Sequence, residues 1–337
     1  MAATIRDVAK KARVSVGTVS RYLNGARLRE KNRISIENAI EELGFEANFF
    51  ARGLTKSKTM AVAVLVPHTD DYFSGSIIKV LERELGKKNY SIMVSNYHGD
   101  ADILEKRLIF FKTRVDGIVL FPYFIKQDGK VGSLIKKYID AGIPTQIFNE
   151  DIRGVATDKF FTDNVNASFR AIEYFIHHGH TKIAVINGQN NDYVGINRHK
   201  GFLDAMQLYG IPVNERYIKY GGYTMNGGYE AAIELLDSSD RPTALYITNY
   251  LMTFGAMMAI QEKNIKVPDE LSVIGFDYMR FADIIVPPIN VVEQSIEKMG
   301  ESVAKLMLAR IEGDFDEFPK VQYFPAKMLV RDSVKKI

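Results

Sequence analysis

Residues 4–25 read TIRDVAKKARVSVGTVSRYLNG, and this stretch decides how the front of the chain folds. Thr4 and Asp7 are spaced as in a capping box, which marks the start of a helix. The apolar residues that follow recur at the spacing of one helix face: Ile5, Val8, Ala9 and Ala12. Ser15 is a good N-cap for a second helix, which Asn24-Gly25 is expected to end. Two short helices joined by the turn Arg13-Val14-Ser15 are therefore predicted.

A third short helix is predicted before Gly44, which is a suitable C-terminal stop. Its apolar residues again follow helical spacing: Ile36, Ala39, Ile40 and Leu43. Three helices of this length provide only a minimal core. The front of the chain is therefore predicted to be a small helical module.

The charge of the chain is divided unevenly. Residues 1–58 hold 12 Lys and Arg against 6 Asp and Glu, a balance of +6, whereas the other 279 residues hold 32 against 35, a balance of −3. A small basic module in front of a nearly neutral body is typical of a protein that binds a polyanion through the basic module alone. A solvated surface would give the same charge, so this pattern alone leaves nucleic acid as one of two interpretations.

The composition excludes several classes of protein. The 337 residues are 46% hydrophobic and 25% charged, and they include no cysteine. Disulfide frameworks, thiolate metal sites and cysteine nucleophiles are therefore excluded. No apolar run reaches the roughly 18 residues that a membrane helix needs, and the polar residues 1–11 do not resemble a secretory signal. A cytoplasmic protein is expected.

From Met60 onward, short apolar runs alternate with helical stretches. The runs predicted to be strands are Ala61–Val66, Ser91–Val94, Gly117–Leu120, Thr145–Phe148, Ile183–Ile186, Ala244–Ile247 and Ser272–Ile274. Uninterrupted apolar strands separated by helices indicate parallel α/β sheets that are covered on both faces. The fold class predicted for this part of the chain is therefore α/β.

The body is long enough for two such sheets. A first sheet is complete near residue 160, and the pattern then restarts with a helix that Asp163-Asn164 would cap and a strand at Lys182–Ile186. Two doubly wound lobes are predicted, with the last crossing of the chain between them near Asn290. A cleft between two lobes is where a ligand is expected.

The segment 4–25 resembles the DNA-binding head of the lactose/galactose repressor family of bacterial transcription regulators. It contains the T-I-x-D-V-A opening and the V-S-x-x-T-V-S-R-x-L-N second helix of that family. The likeness continues along the chain in the family's order, at Glu41–Phe45, Ala51–Leu54, Val115–Ile118, Gly179-His180, Arg198 with Gly201-Phe202, Val273–Asp277 and Val330–Ser333. The resemblance implies a helix-turn-helix head, a hinge helix and a periplasmic-binding-protein-like effector domain, with boundaries at 1–46, 47–59 and 60–337.

For the head, the resemblance implies that the second helix enters the major groove of DNA. The residues expected to read bases are Val16, Gly17 and Arg21, of which Arg21 has the geometry for a bidentate contact to guanine. The residues expected to contact phosphates are Thr4, Ser15, Thr18, Ser20 and Asn24. Gly17 lacks the larger side chain common at this position, so loose reading of one base pair is expected.

For the hinge, the resemblance implies a helix that forms on DNA and inserts a leucine into the minor groove. Asn48 would be its N-cap, Ala51 lies within it, and Leu54 would be the wedge. Ala47 replaces the family's common proline, and Gly53 lowers helix propensity by roughly 1 kcal/mol. We therefore expect the hinge to be ordered only on operator DNA.

For the body, the resemblance implies a small-molecule effector in the cleft. The positions that match the family's pocket are Phe73, Asn149, Arg198, Tyr223, Asn249, Asp277 and Gln294. Their side chains suit a polar ring, because they combine hydrogen-bonding groups with aromatic faces. Asn149, Tyr250 and Tyr278 stand where acidic or amide residues are common, so a sugar, a phosphorylated or acidic ligand and a nucleobase-type corepressor remain open.

The sequence lacks the motifs that would indicate an enzyme. The P-loop, nucleophile-elbow and H-E-x-x-H motifs of enzymes are absent from the sequence. His177-His178-Gly179-His180 matches a structural turn of the family, so neither a metal site nor another cofactor is expected. An exported sugar-binding protein would need a signal, while a protein corepressor stays possible. A homodimer is expected because a pseudo-palindromic operator needs two heads, and the sequence ends too soon after a predicted strand at residues 331–333 for a tetramer-forming segment.

Overall fold

The computed structural model describes residues 3–23, 26–45, 58–123, 130–152, 154–278 and 285–337. The chain divides into two compact units, Met1–Met60 and Ala61–Ile337. Among the described residues, no helix is both long and apolar enough to cross a membrane. The two units are the head and the body of the following description.

The head contains three helices, α1 (Ile5–Ala12), α2 (Val16–Leu23) and α3 (Glu30–Leu43). The predicted capping box is confirmed, because the Asp7 amide donates to Thr4 Oγ1 and the Thr4 amide donates to the Asp7 carboxylate. The Thr18 amide donates to Ser15 Oγ at 3.2 Å, which confirms Ser15 as the cap of α2. Gly44 ends α3 with a φ of 55°, as predicted. The predicted stop at residues 24–25 lies outside the described residues.

The core of the head is small and mostly apolar, with Thr18 as a buried polar residue. Its buried residues are Val8, Ala9, Ala12, Val19, Ile36 and Ala39. All of them except Val19 belong to the apolar patterns from which the helices were predicted. They are buried because each helix turns its apolar stripe toward the other two.

The first half of the body builds a six-stranded sheet with helices between its strands. The elements are β1 (Ala61–Val66), α4 (Tyr72–Gly86), β2 (Ser91–Asn96), α5 (Ala101–Phe111), β3 (Gly117–Leu120), α6 (Lys130–Asp140), β4 (Thr145–Phe148) and β5 (Asp158–Thr162). The strand order is β11-β5-β4-β3-β1-β2, and all pairs are parallel. This sheet and its helices form the first lobe.

The second half repeats the arrangement. Its elements are α7 (Asn164–His177), β6 (Ile183–Asn187), α8 (Tyr193–Leu208), β7 (Ile218–Tyr220), α9 (Met225–Leu236), β8 (Ala244–Ile247), α10 (Tyr250–Glu262), β9 (Ser272–Phe276), β10 (Asn290–Glu293), α11 (Ile296–Ile311), β11 (Val321–Phe324) and β12 (Lys327–Leu329). The strand order is β12-β10-β9-β8-β6-β7, and only β12 runs antiparallel. This sheet belongs to the second lobe.

The chain crosses between the lobes three times. It passes from β5 to β6, from β10 through α11 to β11, and from β11 to β12. Helix α11 lies in the first lobe, where it packs against α4 and β4. The prediction that the last crossing lies near Asn290 was therefore wrong, because the last one follows Phe324.

Five strands were missed, and one predicted strand does not form. Strands β5, β7, β10, β11 and β12 are short and mix polar with apolar residues, so they lack the continuous apolar run that identified the others. Residues 331–333, predicted as a strand, form no strand; the buried Ser333 instead donates to the carbonyl of Val273. The doubly wound, two-lobed fold class itself is confirmed.

The histidine cluster joins the C-terminal residues to the second lobe. His180 is buried, and its ring nitrogens lie 3.0 Å from Thr243 Oγ1 and 3.1 Å from the carbonyl oxygen of Lys335. The Ile337 amide donates to the carbonyl of His178. Gly179 has a φ of 92°, and a Cβ there would stand 2.5 Å from the Ile337 carbonyl oxygen. These contacts give the cluster a structural role.

The burial of His180 predicts a pH-dependent stability. Burial lowers the pKa of His180 below its ordinary value of 6.5, so the unfolded chain binds a proton at a pH where the folded chain does not. The free energy of unfolding should therefore decrease as the pH falls below about 6.5, with a slope of up to about 1.4 kcal/mol per pH unit, until the folded pKa is reached. Urea unfolding between pH 7.5 and 5.5 measures this slope. A His180→Gln variant should show a shallower slope, whereas an unchanged slope would contradict this assignment.

Candidate functional site

The second helix of the head exposes the residues that were predicted to read bases. Val16 is 43% exposed, and Gly17 and Arg21 are also exposed, while Thr18 and Val19 are buried on the opposite side. Arg21 Nη2 lies 3.5 Å from Thr18 Oγ1, a distance at the limit of a hydrogen bond. Helix α2 thus presents one exposed face that carries the positive charge of Arg21.

The residues predicted to contact phosphates differ in their accessibility. Thr4 and Ser15 are exposed and Ser20 is half-buried. Thr18 is only 9% exposed, and its hydroxyl lies 2.8 Å from Ser15 Oγ. The burial of Thr18 argues against its predicted phosphate contact. Asn24 and the hinge residues Asn48, Ala51 and Leu54 lie outside the described residues.

A cavity of about 550 Å³ lies between the two lobes of the body. Its lining residues follow the carboxyl ends of the parallel strands, as expected for open α/β sheets. The described lining is Pro67, His68, Asp70, Asp71, Phe73, Tyr123, Asn149, Asp192, Val194, Arg198, Gly222, Tyr223, Thr224, Met225, Asn249, Tyr250, Leu251, Asp277 and Gln294. The structure thus brings together all seven residues that were predicted for the pocket: Phe73, Asn149, Arg198, Tyr223, Asn249, Asp277 and Gln294.

Arg198 and Asp277 form the polar centre of the cavity. Arg198 is 3% exposed; its Nε donates to Asn164 Oδ1 at 2.9 Å, and its Nη1 donates to the carbonyl of Thr248. Nη1 also lies 3.7 Å from Asp277 Oδ2, and the guanidinium stacks 3.6 Å from the ring centre of Phe276. Burial raises the pKa of Asp277, and the positive charge of Arg198 opposes this effect.

A chain of hydrogen bonds joins this centre to the first lobe. Gln294 Nε2 donates to Asp277 Oδ1 at 2.5 Å, and Gln294 Oε1 accepts from the hydroxyl of Thr162 at the end of β5. The Thr162 amide in turn donates to Asn149 Oδ1 at 2.9 Å. A ligand that touches Asp277 therefore acts on side chains of both lobes.

Tyr223 is held in place by Asp192 and Gly188. The Tyr223 hydroxyl donates to the Asp192 carboxylate at 2.9 Å, and a Cβ on Gly188 would stand 1.9 Å from the Tyr223 ring. Burial raises the pKa of Asp192. The sequence predicted the aromatic wall but not the carboxylate that orients it.

Tyr250 joins the two lobes at the cavity. It is the first residue of α10, and its hydroxyl accepts a hydrogen bond of 3.3 Å from the Tyr72 amide at the start of α4. The two rings meet edge to face with centres 6.2 Å apart. Burial raises the pKa of Tyr250 to about 12. The tyrosine noted as a departure from the family thus links one lobe to the other.

Four helices begin at the cavity, and their N-caps belong to its lining. Each cap side chain accepts a hydrogen bond from a backbone amide of its own helix: Asp71 from Ser74 at 2.8 Å, Asp192 from Gly195 at 2.7 Å, Thr224 from Gly227 at 2.9 Å, and Asn249 from Leu251 at 2.9 Å. The carbonyl oxygen of the Asn249 side chain therefore already has a partner.

Phe73 is only 7% exposed, and its ring contacts the rings of Phe121 and Phe148 edge on.

The chain is similar to known proteins over nearly its whole length. Residues 4–48 match the bacterial regulatory proteins of the lacI family, and residues 172–334 match the periplasmic binding protein-like domain. The HTH-type transcriptional repressor PurR of Serratia proteamaculans is 30% identical over 335 residues, which cover 98% of this chain and 97% of that protein. The chain belongs to the LacI family.

Solved structures of other transcriptional regulators share this fold. The transcriptional regulator CelR, solved as a cellobiose complex, is 26% identical with a TM-score of 0.74, over 98% of this chain and 99% of CelR. The Lac repressor dimer bound to operator and the anti-inducer ONPF is 20% identical, and its TM-score of 0.87 over 99% of this chain and 100% of that one shows the common fold. The predicted family and fold are confirmed, and this LacI-family protein is a transcriptional regulator with a helix-turn-helix head.

Several cavity residues of this LacI-family regulator were not predicted as contacts. They are Asp70, Asp71, Tyr123, Asp192 and Tyr250. Each lies soon after the carboxyl end of a strand. Because ligands of open α/β sheets bind at these ends, the residues could have been predicted once the strands were known. Within the part of the chain that the structure describes, no group of three or more His, Asp and Glu side chains is placed to hold a metal ion.

Proposed function

We propose that this LacI-family regulator represses transcription as a cytoplasmic homodimer on a pseudo-palindromic operator, without enzymatic activity. A sugar or sugar derivative in the interlobe cavity changes its affinity for the operator. The proposed division of labour follows the predicted boundaries, with a DNA-binding head at 1–46, a hinge at 47–59 and an effector and dimerisation body at 60–337. The observation that carries this proposal is a cavity lined by both lobes of a chain that begins with a helix-turn-helix.

The cavity supports control by a small ligand on physical grounds. A ligand shifts an equilibrium only if it binds two states with different affinities. Here the contacts between the lobes, Thr162 to Gln294 and Tyr72 to Tyr250, lie beside the ligand space. A ligand that competes with these contacts or adds to them therefore favours one arrangement of the lobes.

The chemistry of the lining favours a ligand with several hydroxyl groups. Asn149, Asp277 and Gln294 supply acceptors and donors within one polar network, and Tyr223 supplies a ring face. The CelR–cellobiose complex shows that a similar fold accommodates a sugar in that protein. Nucleobases, phosphorylated sugars and a protein corepressor are the alternative outcomes of the test below.

Replacing Arg21 with alanine tests the proposed reading face. Arg21 is exposed on α2 and has the fork that binds guanine O6 and N7, so its loss should weaken operator binding by about 1–3 kcal/mol and relax preference at one base pair of each half-site. Fluorescence anisotropy with a series of single-base operator variants measures both effects. An Arg6→Ala variant, which removes an exposed arginine outside α2, is the control. Unchanged base preference in Arg21→Ala would contradict the reading role.

The proposed function is tested by measuring operator binding with and without ligands. The full chain is titrated onto operator DNA in the presence of neutral sugars, sugar phosphates, sugar acids and nucleobases, and each ligand is also tested for a thermal shift. A ligand at 100 times its Kd should stabilise the protein by about 2.7 kcal/mol. We expect a sugar to raise or lower operator affinity without being consumed; consumption of the ligand would indicate an enzyme.

A further inference from the structure

The segment that joins α2 to α3 concentrates the positive charge of the head. Residues 26–33 hold four Lys and Arg against one Glu, a balance of +3, whereas residues 1–58 together have a balance of +6. Half of the excess charge of the head therefore lies in this short segment. The DNA contacts predicted for the head include none of these residues.

Three of these cations, Arg27, Arg29 and Lys31, form what we call the basic turn. All three are exposed, and none forms a hydrogen bond or ion pair with another described residue. Leu28 packs against the apolar core of the head. Arg29 has an extended backbone, along which successive side chains point to opposite sides. Because Leu28 points inward, Arg29 is turned toward the solvent.

The acidic side chains closest to the basic turn in sequence are already paired. Arg33 donates to the Glu30 carboxylate at 2.6 Å and to the two oxygens of Glu37 at 2.7 and 2.8 Å. Glu37 also accepts from the hydroxyl of Tyr22 on α2 at 2.9 Å. Arg33 thus pairs with both carboxylates, and the three charges of the basic turn stay available to an external anion.

The basic turn begins beside the reading face of α2. The amide of Ala26, the residue before Arg27, donates to the carbonyl of Arg21 at 3.0 Å. Double-stranded DNA carries one negative charge per roughly 1.7 Å of helix axis. Phosphates therefore flank any base pair that Arg21 reaches, and the cations that follow Arg21 in the chain lie close to them.

The basic turn lowers the stability of the helix that follows it. Arg29 stands at the N-cap of α3 without a capping hydrogen bond, whereas Thr4 and Ser15 cap α1 and α2. Lys31 lies in the first turn, where the helix dipole favours acidic side chains, and the last turn of α3 contains no basic residue. Serine at the first position and glutamate at the second would make α3 more stable. Residues that break such local rules are expected where a function needs them.

We propose that the basic turn binds the phosphate backbone of DNA beside the groove that α2 enters. Its three charges displace counterions from the phosphates, which adds affinity and fixes the position of the head without reading bases. This gain in binding explains why α3 starts with cations instead of a good cap. The inference rests on the proposed function, because it adds a contact surface for the same partner, DNA.

The salt dependence of DNA binding tests the basic turn. The full chain is titrated onto two fluorescent duplexes of unrelated sequence between about 50 and 200 mM KCl. Arg29→Gln and Lys31→Gln should each lower the slope of log K against log salt by about 0.9 for each head, and they should weaken binding equally on both duplexes. Lys10→Gln removes an exposed lysine of α1 that forms no ion pair with another described residue, and it should change the slope by less than about 0.3.

Arg29→Ser separates DNA binding from stability. A serine at this position can accept a hydrogen bond from an amide of the first turn, so the variant should stabilise α3 while it weakens DNA binding. Hydrogen exchange of the full chain, followed by mass spectrometry on peptides from residues 30–43, should become slower by at least about threefold. Faster exchange together with weaker binding would show that Arg29 supports folding, and would overturn its assignment to DNA.

Two further results would overturn the inference. One is an unchanged salt slope in both glutamine variants, and the other is a loss of affinity confined to one duplex, which would indicate base reading. In either case a loss of base preference in Arg21→Ala would still support the proposed function. Failure of the unaltered chain to bind either duplex would overturn both.

Discussion

Replacing Arg198 with alanine is expected to lower the free energy of unfolding of the body by about 3–5 kcal/mol and to abolish the response to effector. Arg198 is 3% exposed and lies 3.7 Å from Asp277, whose side chain is 8% exposed. Without the guanidinium, the Asp277 carboxylate stays buried without its cationic partner, and the Thr248 carbonyl and Asn164 Oδ1 lose a donor. Urea unfolding of the full chain measures the stability, and operator anisotropy measures the response.

Second variants separate stability from ligand binding. Combining Arg198→Met with Asp277→Asn removes both charges, so part of the lost stability should return while the effector response stays absent. Arg198→Lys keeps the charge but not the planar fork, so it should be less destabilising than alanine and still bind ligand weakly. A loss below about 1 kcal/mol in Arg198→Ala would show that water replaces the guanidinium and that the pair with Asp277 contributes little to stability.

Replacing Arg310 with methionine should also cost about 3–5 kcal/mol, but it should leave ligand affinity unchanged. The side chains of Arg310 and Asp158 are each 1% exposed, and Arg310 donates to the two Asp158 carboxylate oxygens at 2.9 and 3.2 Å. Arg310 also donates to the carbonyls of Asp314 and Asp316, so one side chain fixes α11, β5 and the loop before β11. The pair lies outside the cavity lining, which is why its loss should affect folding alone.

An exposed ion pair provides the comparison for Arg310→Met. Lys136 and Asp140 are 3.0 Å apart on α6, and their side chains are 63% and 60% exposed. Lys136→Met should change the free energy of unfolding by less than about 1 kcal/mol, because water solvates both groups when the pair is broken. Similar losses in Lys136→Met and Arg310→Met would contradict the importance given to burial. Titration with a sugar that binds the unaltered protein checks that the affinity is retained.

The parts of the fold that could be predicted are those with a repeating local pattern. Helices α1 to α3 follow from apolar residues at helical spacing and from the caps at Thr4, Ser15 and Gly44. The strands β1, β3, β4, β8 and β9 follow from apolar runs that are buried on both faces. Strand β5, with the sequence Asp-Lys-Phe-Phe-Thr, could not be recognised in this way, because the buried Asp158 pairs with Arg310, which lies 152 residues away in sequence.

The cavity shows the same division. Its seven predicted residues came from a family resemblance, not from any local pattern, and the structure places all of them in the lining. No local pattern could have shown that Asp192 orients Tyr223, or that Tyr250 reaches Tyr72, which is 178 residues away in sequence. The direction of each pKa shift also depends on burial, which the sequence does not give.

The sequence by itself determined the helical head, the alternating strands and helices of the body and the charge split of +6 against −3. These are properties of neighbouring residues, since helical spacing, capping and buried apolar runs act over a few positions. The tertiary structure alone decided that the chain crosses three times between its lobes and that four aspartates and one buried arginine line the same cavity. The physical reason is that parallel strands distant in sequence end at the same edge of their sheets, where the side chains that follow them meet across the cleft.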